Sequence, residues 1–224
     1  MDALTKRQLL DATEALHKEN DWVATKALWQ PYVEQGDLEA QFRLAYYYLF
    51  YTFDEEPQTR AEMENLLRTA ADRGHPDAVY WLSHLCEKGE ARDQLLRKAG
   101  ELGSRDAQRD LGALYATGDW TGPKDLVRAA EWYRRAAECG NSDAQYNLGF
   151  MYLLGEGVRS DPEQALRWLR LAAAQGDGQA MRLLADLYRD GAHGFSVDPA
   201  QAAHWDEQYR ACQETLAKNI EDTD

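Results

Sequence analysis

Cysteine, proline and basic charge are all scarce in this chain of 224 residues. Its three cysteines, Cys86, Cys139 and Cys212, are an odd number with no close pair. That excludes a disulfide framework and a C-x-x-C metal knuckle, and makes buried free thiols the expectation. Six prolines leave room for long helices. No stretch approaches the roughly 20 apolar residues of a membrane span. The opening Met1-Asp2-Ala3-Leu4-Thr5-Lys6-Arg7-Gln8 carries no apolar core of signal-peptide length, so the cytoplasm is the expected compartment.

Lysine and arginine number 25 against 39 aspartates and glutamates, a formal charge of −14. A nucleic-acid binder needs a basic stripe to displace counterions from phosphates, and none is present. Each arginine pair sits beside acids, as Arg134-Arg135 does between Glu131 and Glu138. Nucleic acid and anionic membrane are therefore not expected as partners. The acidity serves solubility, or it steers in a basic protein. Seven tryptophans and twelve tyrosines mark a chain that folds.

What the sequence does contain is a repeat. Gly36, Gly74, Gly103, Gly140 and Gly176 lie 38, 29, 37 and 36 residues apart. Four residues after each comes Ala40, Ala78, Ala107, Ala144 or Ala180, and eight after comes Leu44, Leu82, Leu111, Leu148 or Leu184. Twelve after stand Tyr48, Cys86, Tyr115, Tyr152 and Tyr188; fifteen after, in four copies, stand Gly89, Gly118, Gly155 and Gly191. Steps of four keep to one face of a helix, and a glycine that adopts the left-handed conformation stops it. A second helix in each unit carries Leu66, Leu95, Trp132 or Trp168, followed by Ala70-Ala71, Ala99-Gly100, Ala136-Ala137 or Ala172-Ala173. Trp205, 37 residues after Trp168, extends the plan. Asp161-Pro162 and Asp198-Pro199 read as helix starts. Twelve helices are predicted, over 3–18, 21–35, 37–51, 58–73, 76–88, 90–102, 104–117, 124–139, 142–154, 161–175, 177–190 and 198–217. They make an N-terminal pair (1–35) and five repeats in one domain over 1–218, ahead of a frayed acidic tail at 219–224.

The run Asp143-Ala144-Gln145-Tyr146-Asn147-Leu148-Gly149-Phe150-Met151-Tyr152, then Gly155-Glu156-Gly157-Val158, Asp161-Pro162, Ala165, Trp168 and Ala172-Ala173, resembles a near-ideal Sel-one-like (Sel1) repeat. This family is related to the tetratricopeptide repeat. Asp37-Leu38-Glu39-Ala40-Gln41-Phe42-Arg43-Leu44 resembles a first copy. The likeness is densest over 103–190, weaker over 36–102 and only architectural over 1–35. The unit from Gly74 lacks the G-x-G-V loop, and the unit from Gly36 replaces it with Phe50 to Pro57. The resemblance implies an all-α, right-handed solenoid of about six antiparallel helix pairs that scaffolds protein complexes. Some members resemble immunity proteins that neutralise secreted toxins. Cysteine-rich members resemble β-lactam hydrolases, but this chain has neither their paired cysteines nor an S-x-x-K.

In related grooves the contacting positions map six and ten residues after each anchor. Here they are Phe42 and Tyr46, Tyr80 and His84, Arg109 and Ala113, Tyr146 and Phe150, and Arg182 and Asp186; Phe50 lies fourteen after the first anchor. Aromatics and arginine are common hot-spot residues. Packing between repeats is the competing explanation for the rings, and pairing with Asp106 or Asp186 for Arg109 or Arg182. The acids Glu39, Asp77, Asp106 and Asp143 suit helix N-termini. The segment Phe50–Phe53 and Trp120 are further candidate contacts, or local caps.

No catalytic pattern appears. H-E-x-x-H is absent, and His84 and Cys86 would face about 200° apart on a helix. His193, His204 and Cys212 lack ligand spacing, and Gly155-Glu156-Gly157 follows no strand. A non-enzymatic protein-binding adaptor is the leading expectation, with no metal, cofactor or small-molecule substrate. An immunity-type inhibitor is second, and a hydrolase with an unrecognised site a distant third.

Overall fold

Every anchor glycine begins a turn between two helices, for a reason that is local. Gly36, Gly74, Gly103, Gly140 and Gly176 all take positive φ, between 74° and 100°. Each lets the next amide reach back to the preceding helix: His75 N–H donates to the Ala70 carbonyl at 3.0 Å, Asn141 to Ala136 at 3.0 Å and Asp177 to Ala172 at 3.2 Å. The residue after the glycine then caps the helix that follows. Asp37, Asn141 and Asp177 each accept, through Oδ1, the amide of the repeat's alanine at 2.9 Å. His75 does the same through Nδ1 at 3.2 Å. Stop and start signals are thus adjacent, and the turns stay short.

The computed structural model describes residues 3–18, 21–51, 57–87, 89–118 and 123–221. Its helices are α1 (Ala3–Lys18), α2 (Trp22–Glu34), α3 (Leu38–Tyr51), α4 (Pro57–Asp72), α5 (Pro76–Leu85), α6 (Glu90–Glu101), α7 (Arg105–Thr117), α8 (Leu126–Glu138), α9 (Ser142–Leu154), α10 (Pro162–Ala174), α11 (Gly178–Asp190) and α12 (Pro199–Glu221). Among the described residues there is no strand. A 3₁₀ turn at Ala192–Gly194 joins the last two helices.

The periodicity places most boundaries within two residues. Three expectations need correction. α5 stops at Leu85, where Cys86 turns extended (φ −87°, ψ 144°), and Gly89 instead stands directly before α6. α12 runs to Glu221, beyond its expected end at 217. The thiols are not all buried: Cys139 is exposed, and Cys86 and Cys212 are half-buried. Cys139 follows α8 directly, ahead of the anchor glycine, where the chain turns toward solvent.

The helices cluster into two units, Met1–Ala107 and Gln108–Asp224. In the first, consecutive helices from α1 to α6 pack on one another. The fully buried Trp29 joins α2 to α1, its Nε1–H donating to Thr13 Oγ1 at 2.8 Å. In the second unit, α8 to α12 pack in sequence in the same way. The repeat's alanines have no exposure in either unit, and its leucines are equally buried except for half-buried Leu82. The residue after each leucine is Ala45, Ser83, Gly112, Gly149 or Ala185, all small and buried. A Cβ on Gly112 would sit 2.6 Å from the Tyr133 ring, and one on Gly149 2.9 Å from Leu169 Cγ. The two helices of a pair meet there with no space for a side chain.

In the second unit the loops are tied down identically in successive repeats. Asp125, Asp161 and Asp198 donate their amides to the carbonyls of Tyr115, Tyr152 and Tyr188, at 2.8–3.0 Å. Arg134 and Arg170 donate to the hydroxyls of Tyr152 and Tyr188, at 3.2 and 2.9 Å. Such bonds fix the register of one repeat on the next, and with it the face that the first helices present.

Candidate protein-binding face

Positions six and ten after each anchor lie on the first helix of a pair, on the side away from its alanine and leucine. In the first unit that side is filled with rings. Phe42, 2% exposed, stacks on His75 (centroids 4.6 Å apart, 28° between planes) and on Tyr46 (5.6 Å, 29°), with the Arg43 guanidinium 5.3 Å above its ring. Tyr80, 4% exposed, meets Trp81 and His84 edge-on at 5.2 and 4.6 Å. Tyr46 and Trp81 stand 4.8 Å apart. Phe42 and Tyr80 are therefore packing residues, while Tyr46 is half-buried and His84 is exposed. The side chain of Phe50, the segment 52–56 and Trp120 lie outside the described residues.

Beneath these rings sits an ionic cluster. The Glu39 carboxylate takes Lys6 Nζ at 3.1 Å, Arg43 Nε at 2.9 Å and His75 Nε2 at 3.1 Å. Since His75 Nδ1 accepts the Ala78 amide, its Nε2 carries the proton and donates to Glu39. Burial opposes ionisation of Glu39, but the hydrogen bonds from His75, Arg43 and Lys6 outweigh it and hold the carboxyl well below the usual range. Glu39 thus bridges three helices, beyond the helix-terminus role expected of it.

The second unit presents a different surface. Arg109 is paired with Asp110 (Nε–Oδ1 3.0 Å) and Asp143 (Nη1–Oδ2 3.3 Å). Below it, burial pushes the Tyr133 phenol up to about 12. Tyr146 is half-buried and stacks on Phe150 (6.3 Å, 22°), which is 39% exposed. Burial raises the Tyr146 phenol, and the negative charge of Asp177 raises it further. Arg182 is exposed. Asp186 pairs with Arg189, whose other nitrogen makes a two-oxygen contact with Asp206 at 2.8 and 3.0 Å. A polar cleft of about 460 Å³ opens beside Arg182, walled by Asp143, Asp177 and Tyr209. Arg109 is thus tied to α9 through Asp143, Tyr146 and Phe150 share one side of α9, and Arg182 stands on α11. Leu154, 44% exposed, continues the line of Tyr146 and Phe150, and was missed. The four-residue step that singles out Phe50 in the first repeat also leads to Leu154.

The model of the Sel1 repeat matches residues 38–51, 105–141, 142–177 and 178–205. The chain is a Sel1 repeat protein. A Sel1 repeat protein from Oxalobacter formigenes is 26% identical and superposes with a TM-score of 0.72, over 88% of this chain and 84% of that one. That agreement assigns the Sel1 chain to the all-α, tetratricopeptide-like solenoid class. An immunity protein from Pseudomonas aeruginosa has a TM-score of 0.57 over 95% of this chain and 83% of its own; at 20% identity it shares the fold alone. An uncharacterized protein of Neisseria meningitidis serogroup B is 30% identical over 171 residues, 74% of this chain and 34% of that relative. The chain thus spans about a third of that relative's length. No described helix is long and apolar enough to cross a membrane.

Proposed function

We propose that this Sel1 repeat chain is a non-enzymatic scaffold that holds a partner protein against the first helices of its repeats. One observation carries the reading. On α9, within the most regular repeat of the chain, Phe150 and Leu154 are 39% and 44% exposed beside the stacked Tyr146. Ala144 and Leu148 of that same helix are completely buried, so its core is satisfied without Phe150 and Leu154. Large apolar side chains left on a regular face are the common mark of a protein contact.

The test is affinity capture from the native host's lysate, at low and high salt, with the native chain and with a variant carrying His84→Glu, Phe150→Glu and Arg182→Glu. Loss of at least about tenfold in the captured protein supports the face, since a charge buried at the contact without a partner opposes docking. Full retention by the variant, or no captured protein at all, refutes it. The salt response separates two roles: several salt-sensitive partners mark an adaptor, whereas one stoichiometric, salt-resistant partner marks an inhibitor that masks a single target.

A further inference from the structure

The three first-helix rows of the second unit differ in chemistry. At six, ten and fourteen residues after the anchor, α7 offers Arg109, Ala113 and Thr117; α9 offers Tyr146, Phe150 and Leu154; α11 offers Arg182, Asp186 and Asp190. A step of four keeps each row on one side of its helix. The middle row is thus apolar along the whole helix. Phe150 and Leu154 stand one turn apart, whereas the other exposed large apolar side chains among the described residues, such as Val23, Val127 and Leu171, stand on separate elements. On one flank, Ala113 and Thr117 are short and uncharged, and Arg109 is already neutralised by Asp110 and Asp143. On the other flank, Asp190 is exposed, and no described residue pairs with it; Asp186 shares Arg189 with Asp206.

We infer that the α9 row seats an amphipathic, basic segment of a partner polypeptide, its apolar side on Tyr146, Phe150 and Leu154 and its lysines or arginines toward Asp186 and Asp190. This rests on the protein-binding reading above and adds the chemistry of the occupant. Charge complementarity sets the sign. Residues 108–224 hold twelve lysines and arginines against nineteen aspartates and glutamates, a balance of −7, so the approach is attractive for a basic segment and repulsive for an acidic one. The apolar row sets the pattern, because a helix laid on it must repeat its anchors every three or four residues.

The experiment uses the full chain, isotopically labelled, and two synthetic peptides about four helical turns long. One places leucines every three or four residues among lysines, so that the leucines form a single helical face; the other has the same composition in scrambled order. Backbone amide shifts are followed on titration. The patterned peptide is expected to shift the amides of α9 and of the C-terminal half of α11, and to bind at least about tenfold more tightly than the scrambled one. Phe150→Glu should weaken it by about tenfold and Asp190→Lys by about threefold. Both positions are exposed, and unchanged helix content confirms that the variants fold. Equal binding of the two peptides, or of the Phe150→Glu variant, overturns the inference, as do shifts spread over acidic surfaces elsewhere. A lysate partner that Phe150→Glu retains, but that the triple variant loses, would leave the scaffold reading standing and remove the α9 row from it.

Discussion

Gly157 is the residue on which the packing account is most exposed to test. It stands at φ +70°, and a Cβ built on it would lie 2.0 Å from the Leu126 carbonyl oxygen and 2.4 Å from its carbon. Those atoms are main chain at the start of α8 and have no rotamer to change. Gly140, in the same unit, has φ +85° and nothing within 4 Å of its Cβ position. Alanine at either site meets the left-handed penalty of about 1–2 kcal/mol. It also recovers about 0.4–1 kcal/mol from a less flexible unfolded chain. Those contributions cancel between the two sites. What remains is the clash at Gly157, which forces the loop off α8 and should add roughly 1–3 kcal/mol. Urea unfolding followed by far-UV circular dichroism reads both variants on the same transition. Gly140→Ala should lower stability by about 1 kcal/mol or less, and Gly157→Ala by about 2–4 kcal/mol. Costs that agree within about 0.5 kcal/mol, the level at which independent sites cannot be told apart, would show that the loop does not rest on α8 as described.

Three further outcomes are expected. His193 is the one described non-glycine residue with positive φ, at 55°; His193→Gly should relieve about 1–2 kcal/mol of strain against about 0.4–1 kcal/mol of added chain entropy, and a lowered melting temperature would contradict this. Glu39 has its carboxyl held below the usual range, so it contributes stability above the unfolded-state value, and that contribution fades as pH falls toward the folded value. Glu39→Gln should therefore lower stability at neutral pH and flatten the acid limb of a pH–stability curve, and parallel curves would rule out the bridge. Tyr133, pushed up to about 12 by burial, should be missing from the main phenol transition in an ultraviolet pH titration and appear late, with Tyr133→Phe removing that late step. The sign is that of a raised group: its stabilising contribution is present below the ordinary phenol value and lost as pH climbs toward 12.

The helices, their pairing and most boundaries were legible because buried alanine and leucine recur in steps of four, a pattern only a helix can use. Asp161 and Asp198 are legible as caps from the prolines beside them, but the caps directly after the anchor glycines are not. Asp37, His75, Asn141 and Asp177 share no single identity at that position, only a side-chain oxygen or imidazole nitrogen that accepts an amide. The small residue after each leucine was also passed over. Its value lies in how near the partner helix comes, 2.6 Å from a Cβ built on Gly112 to the Tyr133 ring, and spacing along one helix carries no such distance. The same limit separates the candidate contacts. Phe42 and Tyr146 occupy equivalent repeat positions, yet Phe42 is covered by the ring of His75 while Tyr146 stays half-open. Spacing gives a residue's direction from its own helix; what the next helix lays over it is a property of the neighbour.

That contrast bears on where a partner can be held. In the first unit the positions six after the anchors, Phe42 and Tyr80, are spent on joining α3 to the capping His75 and on packing within α5. Withdrawing either ring to meet a partner would open a cavity, and moving Phe42 would also uncover the His75 ring that is bonded to Glu39, so that surface is built to be kept. In the second unit the equivalent positions are Arg109, Tyr146 and Arg182, none of which is buried: Tyr146 packs against the core with its ring half-open, while Arg109 and Arg182 add no apolar group to a core that closes on Ala144, Leu148, Ala180 and Leu184. A side chain that the core does not need is free to be selected for what it touches outside. The regular repeats thus suit the proposed contact better, because their packing leaves Phe150 and Leu154 exposed, whereas the first unit keeps Phe42 and Tyr80 buried.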